Sequence, residues 1–259
     1  MRRPSALKRT WAARRSRGQP WRSDRMRIWA HRGASARLAE NTLAAFAAAV
    51  TDGADGVELD VRLDADGHVV VFHDDDLLRL TGVAGAIERL PSAARRQLRV
   101  LGEHPVPTLD EALEACGSLS VNVEIKSAWP GAANALAAAV AKVCDRPGVR
   151  DRILISSFDP LALIAMRHYG PGLATAYLFH RDQWGPVRRG WPALCIGACV
   201  VHPDDELVTS ARVSAWHDQG LPVQVWTVDN PLRLSQLAAW GVDGVFANDP
   251  AAARKALGR

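Results

Sequence analysis

Eight short runs rich in β-branched and aromatic residues recur along this chain, and a helical pattern fits between most of them. The runs are 28–31 (IWAH), 56–61 (GVELDV), 121–125 (VNVEI), 153–156 (ILIS), 174–179 (ATAYLF), 198–202 (ACVVH), 223–227 (VQVWT) and 244–247 (GVFA). Strands alternating with helices predict a parallel sheet, and eight such units predict an α/β protein of the (β/α)₈ TIM-barrel type, which takes about 250 residues. The chain has 259. A doubly wound open sheet is the other arrangement that alternation permits. A ninth run, HVVVF at 68–72, is joined to the second by Leu63-Asp64-Ala65-Asp66-Gly67. That link is too short for a parallel crossover and suits a hairpin, so the run is placed outside the barrel. Residues 62–107 then form a small insertion between the second strand and its helix, read at 108–116, and residues 26–259 form one domain. Two further helix starts are read from their caps. One is Asn41, with Leu43, Phe46, Ala47 and Val50 at helical spacing; the other is Asn230-Pro231, ending at Gly241.

Charge separates the chain into two parts. Residues 1–27 hold ten Lys or Arg and one acid, a balance of +9, so the net +4 of the whole leaves −5 for the remainder. Residues 1–25 show no amphipathic period and read as a disordered, inert extension. An arm for nucleic acid or an anionic membrane is the other reading of that stretch, and no nucleic-acid contact is expected of the barrel. No apolar stretch is long and clean enough to span a bilayer, and no apolar run follows Arg2 and Arg3 as a leader would need. Cys116, Cys144, Cys195 and Cys199 lack a disulfide-scaffold pattern and read as reduced thiols, with a metal clasp at Cys195 and Cys199 disfavoured. A cytoplasmic enzyme is the expectation.

Barrel sites form at the C-terminal ends of the strands. There the first strand ends in His31 and Arg32. The second carries Glu58 and Asp60, and the third Glu124 and Lys126, each pair at i and i+2 and therefore on one face. The insertion supplies His73 and then Asp74. Acids inside strands oppose β propensity and are costly to bury. Three of them aimed at one mouth fit a hard divalent cation held by oxygen. Arg32 and Lys126 would hold an anion against it, and two histidines would complete an acid–base pair. Together these point to phosphoester chemistry. Asp64-Ala65-Asp66-Gly67 lacks the glycine of a calcium loop at its sixth position and reads as a turn. His68, His104, His168, His180, His202 and His217 have no partner spacing and read as surface or satisfied histidines.

HRG, ENTLAAF, GADGVELDVRLDADGHVVVFHD, LLRLTG, PTLDEAL, NVEIK, SSFDP, VWTVDNP and GVDGVFANDP occur in that order. In this the chain resembles the glycerophosphodiester phosphodiesterases from about residue 28 to 250. The resemblance implies a TIM barrel with an insertion after its second strand. It also implies hydrolysis of glycerophosphodiesters to an alcohol and glycerol 3-phosphate with Ca²⁺ or Mg²⁺, within lipid and glycerol metabolism. By position it makes His31 and His73 the acid–base pair, Glu58, Asp60 and Glu124 the metal ligands, and Arg32 and Lys126 the phosphate binders. Glu40 receives a supporting role near the metal, and Trp226, at the end of the seventh strand, reads as a wall of the glycerol pocket, with a core tryptophan as the other reading. His31 is taken as base and His73 as acid, and the nucleophile is either water or the substrate's own hydroxyl. A phospholipase acting on lysophospholipids or phosphoinositides would use the same catalytic set and is the alternative activity.

Overall fold

The computed structural model describes residues 21–126 and 132–259, so most of the predicted extension lies outside the described residues. In chain order the strands are β1 Arg27–His31, β2 Gly56–Leu63, β3 Val69–Val71, β4 Arg99–Val100, β5 His104–Pro105, β6 Ser120–Ile125, β7 Ile153–Ser157, β8 Ala174–Phe179, β9 Val200–Pro203, β10 Gln224–Val225 and β11 Gly244–Ala247. Eight of them run side by side in the order β10-β11-β1-β2-β6-β7-β8-β9, and every neighbouring pair in that series is parallel. Parallel bridges Val201 to Val223 and Asp204 to Trp226 join β9 to β10 and close the ring. The eight predicted runs are these eight strands. The sixth starts later than read, at Val200, and the seventh shrinks to Gln224–Val225.

Strand alternation sorts the side chains into two cores. Val57, Leu59 and Val61 of β2 and Val121, Val123 and Ile125 of β6 join Phe46, Leu109, Leu136 and Val140 of the surrounding helices in one cluster. The intervening residues Glu58, Asp60, Asn122 and Glu124 are also buried, on the opposite face of each strand and so inside the barrel. Trp29 plugs the interior lower down. A Cβ at Gly56 would stand 2.5 Å from its ring, and one at Gly244 would stand 3.1 Å from its indole nitrogen. Glycine at both positions is what the indole requires.

β3 pairs antiparallel with β2, Val61 opposite Val71, as the short link predicts. Beyond it the segment to residue 106 builds its own small core from Val70, Phe72, Leu77, Leu80, Ile87, Leu98, Val100 and Val106. The helix Leu109–Ala115 follows, with a capping box between Thr108 and Glu111. Among the described residues no helix is long and apolar enough to cross a membrane.

Three local readings change. The first helix is Leu43–Thr51, capped by Thr42 rather than Asn41, and it buries Ala45, Phe46 and Ala49 while Val50 is exposed. With alanine at five of its nine positions, this helix offers little contrast from which its inner face could be read. Trp21, assigned to the disordered extension, is buried with its ring 5.9 Å from that of Trp29. A lone tryptophan has no period by which to announce burial.

Candidate active site

The acids at the mouth come from two adjacent strands. Register places Asp60 opposite Glu124, and Glu58 lies one inward position earlier on β2. One oxygen from each of Glu58, Asp60 and Glu124 lies within 4.8 Å of the others, and all three residues are buried. Burial together with the charges of Asp60 and Glu124 pushes the Glu58 carboxyl well above its usual range. Glu124 is pushed up as well, chiefly by burial, with Lys126 opposing. For Asp60 burial acts in the same sense, but Lys126 and Arg32 outweigh it and hold that carboxyl down. Lys126 Nζ lies 2.5 Å from Glu124 and 3.2 Å from Asp60, and Arg32 Nε lies 3.2 Å from Asp60. The oxygens still have unmet capacity. Glu58 Oε1 has no hydrogen-bond partner, and the contacts of Lys126 with Asp60 Oδ1 and Glu124 Oε1 lack hydrogen-bond geometry. Buried, anionic, all-oxygen and under-coordinated, the trio fits a hard divalent cation.

The turn after β1 explains the HRG sequence. Arg32 adopts a left-handed backbone at φ 57°, which aims its N–H at Glu58 Oε2, 2.9 Å away. Gly33 follows at φ 81°, where a Cβ would stand 2.6 Å from the Ala45 carbonyl carbon. His31 is held from behind, its Nδ1 2.8 Å from Asn248 Oδ1. The amide of Asn248 is itself fixed, because its Nδ2 donates to Asp229 Oδ2 at 2.6 Å. Its oxygen must therefore face the ring, so His31 Nδ1 carries the proton and Nε2 is left as an acceptor. His73 is held differently, with Nδ1 2.7 Å from the carboxylate of Asp74. Arg79 grips Asp74 through two nitrogens and helps hold that carboxyl down, at about 2. Burial lowers the pKa of both histidines, with Arg32 adding to the effect at His31 and Asp60 opposing it at His73. His31, Arg32, Glu58, His73, Glu124, Lys126 and Trp226 line one cavity of about 290 Å³ at the mouth.

The profile of the glycerophosphoryl diester phosphodiesterase family matches residues 31–252. The chain belongs to this family. A glycerophosphodiester phosphodiesterase of Caldanaerobacter subterraneus is 34% identical over 236 residues, covering 86% of this chain and 94% of that one. One from Bacillus altitudinis is 31% identical over 244 residues, covering 86% and 95%. Among solved structures, an Oleispira antarctica phosphodiesterase in complex with its product sn-glycerol-3-phosphate superposes with a TM-score of 0.83 at 29% identity, covering 91% of this chain and 98% of that one.

In this phosphodiesterase every residue singled out from the sequence lies at the mouth, though not always with the expected neighbours. Glu40 stands apart from the acid trio and bridges two guanidiniums, Arg32 at 2.8 Å and Arg79 at 2.7 Å. It thereby ties the first loop to the loop that carries Asp74. Trp226 is half-buried, donates Nε1–H to the His202 carbonyl at 2.9 Å, and meets the ring of Phe158 edge-on. Several partners escaped the sequence reading. Asn41, read as a cap, donates from Nδ2 to Asp60 Oδ2 at 2.8 Å. Buried Arg62 holds the loop of His73 through that residue's carbonyl, at 2.8 Å, and through Glu88. His202, read as an ordinary histidine, is fully buried and lines the cavity. The Asp64 turn is a turn: its carboxylate accepts from the Asp66 and His68 amides and from Ser92. Among the described residues, Cys195 and Cys199 belong to no group that could hold a metal ion.

Proposed function

We propose that this phosphodiesterase hydrolyses glycerophosphodiesters to an alcohol and glycerol 3-phosphate. Glu58, Asp60 and Glu124 would hold one Ca²⁺ or Mg²⁺, and His31 and His73 would act as the acid–base pair. A cation bound there supplies Lewis-acid neutralisation of charge on the phosphoryl oxygens. Arg32 and Lys126, beside the trio, orient the anionic diester and stabilise the charge that builds in the transition state. His31 acts as base through Nε2, because its Nδ1 proton is committed to Asn248. The hydroxyl it deprotonates belongs to water or to the glyceryl group itself. His73 acts as acid, since the imidazolium it must form faces the anionic Asp74 rather than a neutral amide.

The observation that carries this reading is the pair of imidazoles, one backed by a neutral amide and the other by a carboxylate, beside three under-coordinated buried acids. The product named with the Oleispira relative supports the substrate class. The test is release of choline and glycerol phosphate from glycerophosphocholine by the purified protein. Activity should vanish in excess chelator and return with Ca²⁺ or Mg²⁺. Full turnover in chelator refutes the metal assignment. Faster turnover of the corresponding lysophospholipid would assign the enzyme to phospholipids instead.

A further inference from the structure

One inward layer below the charged ring, the barrel interior is polar where packed barrels present branched apolar side chains. Asn122 is the residue two before Glu124 on β6, and Gln224 is the residue two before Trp226 on the neighbour of β9. His202 projects into the same interior from β9, fully buried, with its ring 4.9 Å from that of Phe246. His202 and Asn122 line the same 290 Å³ cavity as His31 and His73. Neither nitrogen of His202 has a hydrogen-bond partner, nor does Asn122 Oδ1. Gln224 approaches the imidazole, yet its own amide nitrogen and oxygen are also unmet. An unmet buried donor or acceptor costs the equivalent of about 5–150-fold in an equilibrium constant. Two residues with such unmet groups, His202 and Asn122, line the substrate cavity and hold hydrogen-bonding capacity for a ligand.

We infer that His202, with Gln224 beside it and Asn122 across the same cavity, is the specificity-determining contact for a hydroxyl group of the substrate, the terminal hydroxyl of a glyceryl group. The inference rests on the glycerophosphodiester reading proposed above and assigns the end of the substrate remote from the phosphorus. The chemistry matches on both sides. A neutral imidazole offers one donor and one acceptor, and a hydroxyl offers the same. Burial pushes the His202 pKa down to about 3, so the ring is neutral and polar at physiological pH without adding charge to the mouth. Phe246, Leu178 and Phe158 line the cavity alongside it. A site of this kind rejects an analogue that lacks the hydroxyl, because its polar groups are then left unmet.

The test pairs a substrate deletion with a side-chain deletion. Glycerophosphocholine is compared with the analogue in which propane-1,2-diol replaces glycerol. That analogue keeps the hydroxyl next to the phosphoester and loses only the terminal one. The wild type should favour the glyceryl substrate by about 10–100-fold in kcat/KM. His202→Phe should bring the ratio to within about threefold by slowing the glyceryl substrate alone. His202→Gln keeps a donor and an acceptor at a different reach and should give an intermediate ratio. A wild-type ratio in either variant, with its fold verified by circular dichroism, overturns the inference, as does an effect confined to the melting temperature. Failure of the wild type to turn over either substrate would instead overturn the functional reading.

Discussion

Glu58→Gln should stabilise the metal-free protein while removing its activity. Carboxylate oxygens from Glu58, Asp60 and Glu124 lie within 4.8 Å of one another. At that spacing and an effective dielectric of about 20, each pair of charges repels by about 3.5 kcal/mol. Arg32 and Lys126 offset part of this, but the balance at Glu58 still lies well above the usual carboxyl range. The sign follows from linkage. A group whose folded pKa is raised contributes stability that is complete below its unfolded value, near 4.5, and lost as pH rises through the folded value. In that window the wild type loses up to about 1.4 kcal/mol per pH unit. For a chain of this size that corresponds to about 3–6 °C in Tm per unit. Glutamine has nearly the shape of glutamate and can still accept from the Arg32 amide, but it does not titrate. Thermal melts in chelator, from pH 5 upward, should therefore show the variant drawing ahead of the wild type as pH rises. The buried histidines contribute with the opposite sign in both proteins, so the difference between the two curves reports the Glu58 carboxyl together with its repulsion of Asp60 and Glu124. Saturating Ca²⁺ should invert the order, since ligand at about 100 times its Kd adds about 2.7 kcal/mol to the protein that binds it. Parallel melting curves in chelator, or equal responses to Ca²⁺, would refute the reasoning.

Three further outcomes follow from the site and from the barrel beneath it. His31→Ala and His73→Ala should each lower kcat by about 10²–10⁴-fold with the far-UV spectrum unchanged; near-normal kcat in either removes that histidine from the reaction. Asn248→Leu keeps His31 but frees its tautomer and tilt, and should lower kcat by about 10–100-fold with KM little changed. A matching rise in KM would show that Asn248 acts on binding. Gly56→Ala drives a methyl to within 2.5 Å of the Trp29 ring and 2.9 Å of the Ser120 carbonyl oxygen. It should destabilise by about 1–3 kcal/mol in urea titration, and a change below about 0.5 kcal/mol would mean that Trp29 is not a rigid plug.

The strands and the acids were readable from the sequence because each departs from its local background. β-branched runs stand out between alanine-rich helices, and Glu58, Asp60 and Glu124 contradict the strands that contain them. What supports those residues was not readable, because it depends on contacts between loops that barrel closure alone brings together. Asn41 has the composition and position of a cap, and only its φ of 58° turns its amide toward Asp60. Asp229 and Asn248 follow the seventh and eighth barrel strands, and no spacing rule connects them to His31. His202 alternates along β9 as any inward residue would, and its burial appears only when β8 and β10 flank it.

The same closure links catalysis to the integrity of the whole ring. β1 lies between β11 and β2, so His31 has Asn248 of the following loop on one side and Glu58 as its register partner on the other. The proposed base therefore takes its tautomer from the last strand-end and its neighbouring acid from the second. More than 200 residues of chain separate His31 from Asn248, whose contact needs β11 docked on β1. A barrel opened at that seam would keep the acid trio, which β2 and β6 hold by themselves, and would lose the orientation of His31. Hydrolytic activity should consequently fall at a urea concentration no higher than that at which far-UV ellipticity is lost. Ca²⁺ binding should persist to at least the activity midpoint. Activity outlasting the global unfolding transition would show that His31 does not depend on Asn248, and that the closing strand does not orient it.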